Sequence, residues 1–377
     1  MENTECTNKG LTQLHEQLCL ALISGVGPLV RQRLLAHFGS PAEVLSASSG
    51  ELQAVDSVGP TLAKRIVEAR TEIDVDAQLQ LARENGIDIL LQSHSDYPAL
   101  LKEIHDPPGV LFARGTLISA DRLAIAIVGT RHASRYGTKH ATQLATNLAR
   151  AGITVVSGMA RGIDAAAHRA ALEAGGRTIA VLASGVLIPY PPEHDELANE
   201  ITRQGCVVSE VTPTMPPISG MFPQRNRIIS GMTLGTIVVE AADRSGALIT
   251  ARHAWEQNRE VFAVPGPIES RLSSGPHRLI RDGAKLVSTI DDVLEELGPL
   301  AHAAGREDGT MIRVPAEVTL NDVEQAVLQS IAPGSGSLID DITGACGLPV
   351  HRVLSTVSVL EMRQLIRRIG GNRVGRI

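Results

Sequence analysis

The chain of 377 residues has few cysteines, few aromatic residues and no long apolar run. Its four cysteines, Cys6, Cys19, Cys206 and Cys346, are far apart, and none belongs to a Cys-x-x-Cys pair. This spacing argues against a disulfide framework and a thiolate zinc site, so we expect a metal-free protein of the reducing cytoplasm. No apolar run approaches the roughly 18–20 residues that cross a bilayer, and residues 1–10 do not resemble a signal peptide. We therefore expect no membrane association.

Aromatic residues make up 2% of the chain, with a single tryptophan, Trp255. This composition argues against a protein that binds single strands on a wide aromatic platform. Lysine occurs at only five positions, so arginine supplies 30 of the 35 cationic side chains. Arginine is the better fork for phosphate, although a GC-rich coding bias produces the same excess. The net charge of −6 gives no support to nucleic-acid binding from bulk charge alone.

A weak internal repeat opens the chain. Gly25-Val26-Gly27-Pro28 and Ser57-Val58-Gly59-Pro60 are each followed by apolar residues at helical spacing. The pattern predicts two units of helix, glycine hairpin and helix, a tandem helix-hairpin-helix (SAM-like) module. Such hairpins direct backbone N–H groups towards a DNA phosphate in some proteins and only pack against neighbours in others. Both possibilities stay open.

From residue 121 to about 297, apolar segments rich in valine and isoleucine alternate with amphipathic helical stretches. The predicted strands are Leu123–Val128, Ile153–Val156, Thr178–Leu182, Cys206–Ser209, Ile237–Val239 and Val261–Val264. Glycines bound these segments, as is typical of buried parallel strands. A helix ending at Asn85-Gly86 and a strand at Ile87–Leu91 precede them. The sequence therefore predicts an α/β fold with a doubly wound, mostly parallel sheet.

The end of the chain predicts helices at about 319–331, 337–344 and 350–362, with a turn at Gly347-Leu348-Pro349. A glycine turn with Arg367, Arg368, Arg373 and Arg376 follows, which together suggests a winged helix. These arginines and Arg363 have no acidic residue among the last fifteen positions. DNA binding and a protein-interaction role with a solvated basic end both fit this pattern.

These patterns predict four segments. They are a helical module at 1–75, an α/β domain at 76–297, a small, polar linker at 298–316 and a winged-helix domain at 317–377.

The first predicted strand ends at Val128 and is followed by Gly129-Thr130-Arg131-His132-Ala133-Ser134, with a helix expected from about Thr138. A glycine-containing loop between a strand and a helix N-terminus favours an anion, because its N–H groups and the helix dipole point outward. Thr130 and Ser134 add hydroxyl groups, and Arg131 adds a charged fork. The loop matches neither the dinucleotide-binding nor the P-loop pattern, and the chain contains no Gly-Lys pair.

A second loop, Ser157-Gly158-Met159-Ala160-Arg161-Gly162, repeats this arrangement before a helix predicted at Ala165–Ala174. Asp164 is expected to cap that helix, and His168 is more readily explained as a structural histidine than as a ligand. A fourth loop follows Ile237–Val239 and carries Ser245 and Gly246.

A third element places Arg225, Asn226 and Arg227 in the first turns of a helix that starts at Pro223. Cations at a helix N-terminus oppose the dipole unless an anion or a carboxylate compensates. In a sheet of this kind, ligands lie at the carboxyl edge, from which all four loops leave. The arginines, hydroxyls and N–H groups indicate a phosphate-rich ligand, either a nucleotide or a nucleic-acid backbone.

The loops together resemble the DNA-processing protein A (DprA/Smf) family. The resemblance covers about residues 95 to 290. It is carried by Gly129-Thr130-Arg131…Ser134-x-Tyr136-Gly137, Ser157-Gly158-x-Ala160-x-Gly162-Ile163-Asp164-x-x-Ala167-His168, Tyr190-Pro191, Phe222-Pro223-x-Arg225-Asn226-Arg227-Ile228-Ile229, Glu240-Ala241…Ser245-Gly246-x-Leu248-Ile249-Thr250 and Val264-Pro265-Gly266. The sequence departs from the family pattern at Ala183, Leu187 and Pro192.

This resemblance implies an extended Rossmann-like fold that binds single-stranded DNA and dimerises. It implies that the protein loads RecA onto that strand, past single-strand-binding protein, during natural transformation, with no catalytic residue and no cofactor. Arg131 and Arg225-Asn226-Arg227 would hold the DNA backbone. Gly129, Ser157, Gly158, Ser245 and Gly246 would line the same pocket.

Two other functions remain open on the residues. A nucleotide-cleaving enzyme of the phosphoribohydrolase type would use Arg161 and Glu240, although its Pro-Gly-Gly-x-Gly-Thr-x-x-Glu loop is replaced here by Asp243-Arg244-Ser245-Gly246. A nucleotide sensor would bind a free phosphate ligand and signal through the winged helix. A nucleotide-hydrolysis assay tests the enzyme, and mononucleotide binding that DNA does not displace would favour the sensor.

Overall fold

The computed structural model describes residues 13–304, 322–331, 336–362, 365–370 and 372–376. The chain divides into two compact units. Unit 1 comprises Met1–Leu117 and Ala180–Gly231, and unit 2 comprises Ile118–Ile179 and Met232–Ile377. Within the described ranges, no helix combines the length and the apolar character that crossing a membrane requires.

The strands are β1 (Ile87–Leu91), β2 (Val110–Gly115), β3 (Ala124–Val128), β4 (Thr154–Ser157), β5 (Thr178–Leu182), β6 (Cys206–Ser209), β7 (Gly235–Val238), β8 (Glu260–Ala263), β9 (Lys285–Leu286), β10 (Ser337–Leu338), β11 (Ile366–Gly370) and β12 (Arg373–Arg376). The helices are α1 (13–22), α2 (Pro28–Phe38), α3 (Pro41–Ser46), α4 (Ser49–Gln53), α5 (Pro60–Glu72), α6 (Val75–Glu84), α7 (Ala99–Lys102), α8 (Arg135–Arg150), α9 (Ile163–Glu173), α10 (Asp195–Gln204), α11 (Met221–Gly231), α12 (Ala247–Glu256), α13 (Ser274–Arg281), α14 (Ile290–Ala304), α15 (Asp322–Gln329), α16 (Ile339–Cys346) and α17 (Val350–Met362).

The first helices of unit 1 confirm the predicted repeat. Helices α2 and α5 each begin with proline directly after an extended glycine, Gly27 or Gly59. Proline suits this first helical position because its φ is already fixed and its missing N–H is not needed there. The two hairpins share one apolar core, which includes Leu34, Leu52 and Ile66.

The remaining part of unit 1 contains the strands β1, β2 and β6. Strand β1 pairs antiparallel with β2, and β2 pairs antiparallel with β6. The prediction of a parallel strand at Cys206–Ser209 is therefore wrong for its pairing with β2. A short apolar segment indicates burial but does not fix the direction of the neighbouring strand. Strand β5 spans the division between the two units at residues 179 and 180.

Unit 2 contains a parallel sheet in the order β4-β3-β7-β8-β9. Strand β3 has β4 on one side and β7 on the other, so the strand order reverses between β3 and β7. A reversal of this kind opens a crevice at the carboxyl ends of the two strands. The predicted α/β fold with a mostly parallel sheet is confirmed.

Three helices begin earlier than the sequence predicts. Helix α8 begins at Arg135 rather than Thr138 because Ser134 is its N-cap and accepts a hydrogen bond from Gly137 N. Helix α9 begins at Ile163 with Gly162 as N-cap, so the prediction that Asp164 caps it is wrong. Asp164 lies in the first turn instead, and its Oδ2 accepts a bond of 3.3 Å from Ala160 N. Helix α11 begins at Met221, before Pro223.

The C-terminal part of unit 2 confirms the predicted winged helix. The elements follow the order α15, β10, α16, α17, β11 and β12, and the three strands form a sheet in the order β10-β12-β11. The core includes Ile342, Val357 and Ile366. Residues 337 and 338 form a strand rather than the predicted helix start, while 319–321 lie outside the described residues. Residues 298–304 of the predicted linker belong to α14, and 305–316 also lie outside the described residues.

Helix α17 packs against α14, and Ser355 Oγ donates a hydrogen bond of 3.0 Å to Asp291 Oδ1. A cavity of about 330 Å³ lies between α8, α14, α15 and α17 and is lined by Arg150, Glu324 and Arg352 among others. The basic hairpin has an acidic neighbour just outside the last fifteen positions, because Arg368 Nε lies 3.2 Å from Glu361 Oε2.

Candidate functional site

The carboxyl ends of β4, β3 and β7 meet at one edge of the sheet in unit 2. Ten of the residues predicted from the sequence lie at or directly after these strand ends. They are Gly129, Thr130, Arg131, Ser134, Ser157, Gly158, Arg161, Gly162, Ser245 and Gly246. The predicted loops of unit 2 are therefore brought together at the edge where α/β proteins bind their ligands.

The crevice between β3 and β7 is bridged by Glu240, whose side chain is buried at 4% exposure. Ser134 N donates to Glu240 Oε2 at 2.9 Å, and Ser134 Oγ donates to Oε1 at 2.5 Å. Thr130 N donates to the main-chain oxygen of Glu240 at 2.7 Å. The protein's own side chains thus occupy the crevice, and two N–H groups of the β3 loop are already bound.

The loop after β4 packs on the loop after β3 through glycines. Gly162 has a φ of +78°, and a Cβ there would lie 2.4 Å from Thr130 O. Ile163 N donates to the same oxygen at 3.3 Å. A Cβ at Gly129 would lie 2.5 Å from Ile163 Cγ1. These two glycines are needed for close approach of the two loops.

The hydroxyl groups at this edge also bond within the protein. Ser157 is fully buried, and its Oγ donates to Ile127 O at 2.6 Å. Thr130 Oγ1 accepts from His132 N at 3.2 Å, and Ser245 Oγ accepts from Ala247 N at 3.3 Å. Ser157 therefore shapes the loop, whereas the bonds of Thr130 and Ser245 use the oxygen as acceptor and leave the proton for another partner.

Cationic side chains lie exposed along the rim of the crevice. Arg131 and Arg161 are exposed, as an anion site requires. The loop motifs do not identify two further cations, Arg135 and Lys139, which are exposed in the first turns of α8. Their spacing of four residues places both on one side of the helix and is the signal that could have identified them. Residues 129–140 contain no acidic side chain.

His140 lies close to these cations but does not add to their charge at neutral pH. Burial lowers the pKa of His140, the charge of Lys139 lowers it further, and Glu240 opposes the shift. The ring of Tyr136 lies 4.2 Å from the His140 ring, measured between centroids. The imidazole is therefore neutral at pH 7, because its pKa lies below the ordinary value.

The third predicted element belongs to unit 1. Arg225, Asn226 and Arg227 lie in α11 with exposures of 6%, 9% and 5%. Arg227 Nε donates to Asp106 Oδ2 at 3.0 Å, and Nη2 donates to Glu210 Oε1 at 2.8 Å. Burial lowers the pKa of Arg227, but the charges and hydrogen bonds of Glu210 and Asp106 outweigh it and raise the pKa.

Arg225 Nη1 donates to the main-chain oxygen of Val181. The expected compensating carboxylates are thus present within unit 1. Asp106 and Glu210 both bind Arg227. A contact of Arg225, Asn226 and Arg227 with DNA stays a prediction. Within the described part of the chain, no three His, Cys, Asp or Glu side chains are grouped so that they could hold a metal ion.

A comparison with protein families decides where the chain belongs. The model of the DNA recombination-mediator protein A family matches residues 88–298, more than half of the chain. The chain is a member of this family. The DprA winged helix domain matches residues 313–372, and the SAM-like helix-hairpin-helix tandem matches residues 20–72.

Relatives of the DprA family match over most of their length. The chain is 40% identical over 284 residues to the DNA processing protein DprA of Bacillus subtilis. The matched region covers 74% of this chain and 95% of that protein. The X-ray structure of DprA from Streptococcus pneumoniae superposes with a TM-score of 0.65 and 36% identity, over 75% of this chain and 97% of that chain.

A second DprA structure, from Helicobacter pylori, is described by its single-stranded DNA binding mode. It superposes with a TM-score of 0.51 and 29% identity, over 56% of this chain and 95% of that chain.

Proposed function

We propose that this DprA family member binds single-stranded DNA and acts as a recombination mediator in natural transformation. In this proposal it loads RecA onto the strand past single-strand-binding protein, works as a homodimer in the cytoplasm, and catalyses no reaction itself. Family membership supports the mediator role, and the Helicobacter pylori relative supports single-stranded DNA as the ligand.

The observation that carries the proposal is the filled crevice between β3 and β7. A free nucleotide in a fold of this kind binds in that crevice, with its phosphate at the helix N-terminus. Here Glu240 bonds the N–H and the hydroxyl of Ser134 at the N-terminus of α8. The exposed cations Arg131, Arg135 and Lys139 lie on the rim instead. A row of cations on a rim suits a chain of phosphates better than a single nucleotide.

The same geometry argues against an enzyme of the phosphoribohydrolase type. That function would require Glu240 to reach a bound substrate. Both carboxylate oxygens of Glu240 instead accept hydrogen bonds from Ser134, and the side chain is buried. The residue thus has a structural task in the loop after β3.

Fluorescence anisotropy of a labelled single-stranded oligonucleotide over a salt series tests the proposed ligand, with duplex DNA and a nucleoside monophosphate as competitors. We expect binding that weakens steeply with salt and that neither competitor displaces at equal nucleotide concentration, because phosphate contacts release counterions. Preference for duplex, or displacement by the monophosphate, would contradict single-strand binding. Release of the free base from the monophosphate would restore the enzyme hypothesis.

The mediator role needs a separate assay. Single-stranded DNA is first covered with single-strand-binding protein, and the DNA-dependent ATPase activity of RecA is then followed with and without this protein. We expect a shorter lag before ATP hydrolysis. An unchanged lag, in conditions where the protein binds the DNA, would reject loading while leaving DNA binding intact.

A further inference from the structure

Helix α8 begins with half of a common capping motif for helix N-termini. In a capping box, the N-cap serine binds the N–H of the third helical residue, and a glutamate at that third position binds the N–H of the serine. Ser134 is the N-cap and accepts from Gly137 N at 3.1 Å. The third position is Gly137 itself, so the local glutamate is missing.

Glu240 supplies the missing half from the end of β7. Its Oε2 accepts the N–H of Ser134 at 2.9 Å, which is the bond that a glutamate at the third position would make. A Cβ on Gly137 would lie 2.2 Å from Glu240 Oε2 and 2.4 Å from Cδ. The carboxylate therefore occupies the space that a side chain at position 137 would fill, and only glycine admits it.

A capping box completed by a distant residue does more than begin a helix. Glu240 holds Ser134 with its carboxylate and Thr130 with its main-chain oxygen, so both ends of the segment 130–134 are fixed to one residue. Arg131 lies between these two anchors. Its main chain is constrained although its side chain is exposed.

The charge distribution requires such a partner. The first turns of α8 and the preceding loop carry Arg131, Arg135 and Lys139, and cations at a helix N-terminus oppose the dipole. A carboxylate at the same end favours the dipole and offsets these charges. Glu240 therefore brings a negative charge to the helix end at which these cations lie.

We propose that Glu240 is the positioning residue for Arg131. It completes the capping box of α8 from the neighbouring strand and sets the loop in the shape that presents the guanidinium to a DNA phosphate. This inference rests on the proposed single-strand binding. It also gives Ser134 a different task from the phosphate contact predicted from its sequence position, because the Ser134 hydroxyl proton is donated to Glu240.

A double-mutant cycle on the full-length protein tests the proposal. Glu240→Gln keeps the size of the side chain but leaves one acceptor oxygen for two donors. We expect it to weaken single-strand binding at least about twofold, the lower end of coupling between residues in one network. Arg131→Ala combined with Glu240→Gln should bind no more weakly than Arg131→Ala alone.

Asp243→Asn is the matched control, because it removes the same charge from an exposed residue of the same loop. It should bind as tightly as the wild type or slightly more tightly. If Glu240→Gln also binds as tightly as the wild type, or if the two losses add in the double variant, Glu240 does not position Arg131. If the wild type itself fails to bind single strands, the proposed function fails first.

Hydrogen exchange of the DNA-free protein gives a readout that does not depend on binding. The amides of Thr130 and Ser134 should exchange faster in Glu240→Gln, while the thermal midpoint of unfolding serves to separate local loosening from general instability. Ser134→Ala provides a second variant if Glu240→Gln does not fold. It removes both bonds of the hydroxyl, to Glu240 Oε1 and from Gly137 N, but keeps the bond from Ser134 N to Glu240 Oε2. Unchanged exchange at both amides in a folded variant would overturn the positioning role.

Discussion

Arginines at or within helices occur in both units, and in each unit carboxylates from outside the helix compensate their charge. Glu240 does this for α8 in unit 2, and Asp106 and Glu210 bind Arg227 of α11 in unit 1. A helix start at Pro223 predicts, through the dipole, that α11 needs such partners. The observed start at Met221 places Arg227 in the second turn, where its burial is the reason that it needs them. The sequence cannot name them, because Glu240 lies 106 positions from Ser134 and Asp106 lies 121 positions from Arg227.

Arg131 provides the most direct residue-level prediction. Arg131→Ala should weaken single-strand binding about equally for all sequences, because a phosphate contact carries no base information. The slope of log K against log salt should become shallower by about 0.7 for each phosphate that the guanidinium no longer neutralises. Anisotropy titrations over the salt series measure both quantities.

Arg169→Ala serves as the control for Arg131→Ala. Arg169 is also exposed in unit 2 but lies in the second turn of α9, away from the loop after β3. Its replacement should leave affinity and slope close to those of the wild type. An unaltered slope in Arg131→Ala would mean that the phosphate lies elsewhere.

His140 predicts a pH dependence of stability. Because burial and Lys139 lower the pKa of His140 in the folded protein, the unfolded chain binds a proton more readily. The contribution of His140 is therefore fully present above its unfolded pKa of about 6.5 and is lost as the pH falls through the lower folded pKa. Thermal unfolding between pH 5 and 8 should show a steeper acid loss for the wild type than for His140→Gln. Parallel curves for the two proteins would refute this.

At the scale of helices and strands, the sequence predicts position better than direction or exact start. Strands β1, β5 and β6 have the predicted bounds, and β3, β4, β7 and β8 differ by one or two residues at their ends. Valine and isoleucine between glycines are a local signal of burial. The antiparallel pairing of β6 with β2 and the early start of α8 depend on partners that no local pattern contains.

Gly162 allows the loop after β4 to lie on the loop after β3, and its replacement should separate them. Gly162→Ala combines a positive φ with a Cβ only 2.4 Å from Thr130 O, so we expect a loss of about 2–4 kcal/mol in unfolding free energy. Single-strand binding should weaken as well. Denaturant unfolding and anisotropy measure the two effects.

Gly152→Ala separates the cost of a positive φ from the cost of the close contact between the loops. Gly152 has a φ of +77°, but a Cβ there has no atom within 4 Å. Its replacement should cost only about 1–2 kcal/mol, the penalty of positive φ for alanine. Equal losses in the two variants would show that the close approach of the loops contributes nothing.

At the scale of the whole molecule, each unit is built from two separate stretches of chain. The predicted boundaries at 1–75, 76–297, 298–316 and 317–377 follow composition along the sequence, and they stay a prediction. Unit 2 includes the winged helix, whose helix α17 packs on α14. In winged helices that read DNA, the corresponding helix enters the major groove, whereas here α14 covers part of it.

The contact between α14 and α17 should couple the stability of the winged helix to the rest of unit 2. Leu294 of α14 is 3% exposed and lines the cavity beside α17. Leu294→Ala should lower the unfolding temperature and broaden the calorimetric transition or split it in two, since a core leucine contributes about 2–5 kcal/mol. Leu286→Ala, at a leucine that is 44% exposed, should leave the transition unchanged. A single sharp transition in Leu294→Ala would show that the coupling of the two parts does not depend on this leucine.

The interrupted course of unit 1 also matters while the protein is being made. On the ribosome, β1 and β2 emerge long before β6, and about 90 residues must be added before β6 can pair with β2. At about 5–20 residues per second, the open side of β2 waits for roughly 5–18 s. An unpaired strand edge attracts other unpaired strands, so nascent chains on one messenger are most prone to aggregate in this interval. Slow codons between β2 and β6 would lengthen it, and a chaperone bound to the nascent chain would protect the edge until β6 arrives.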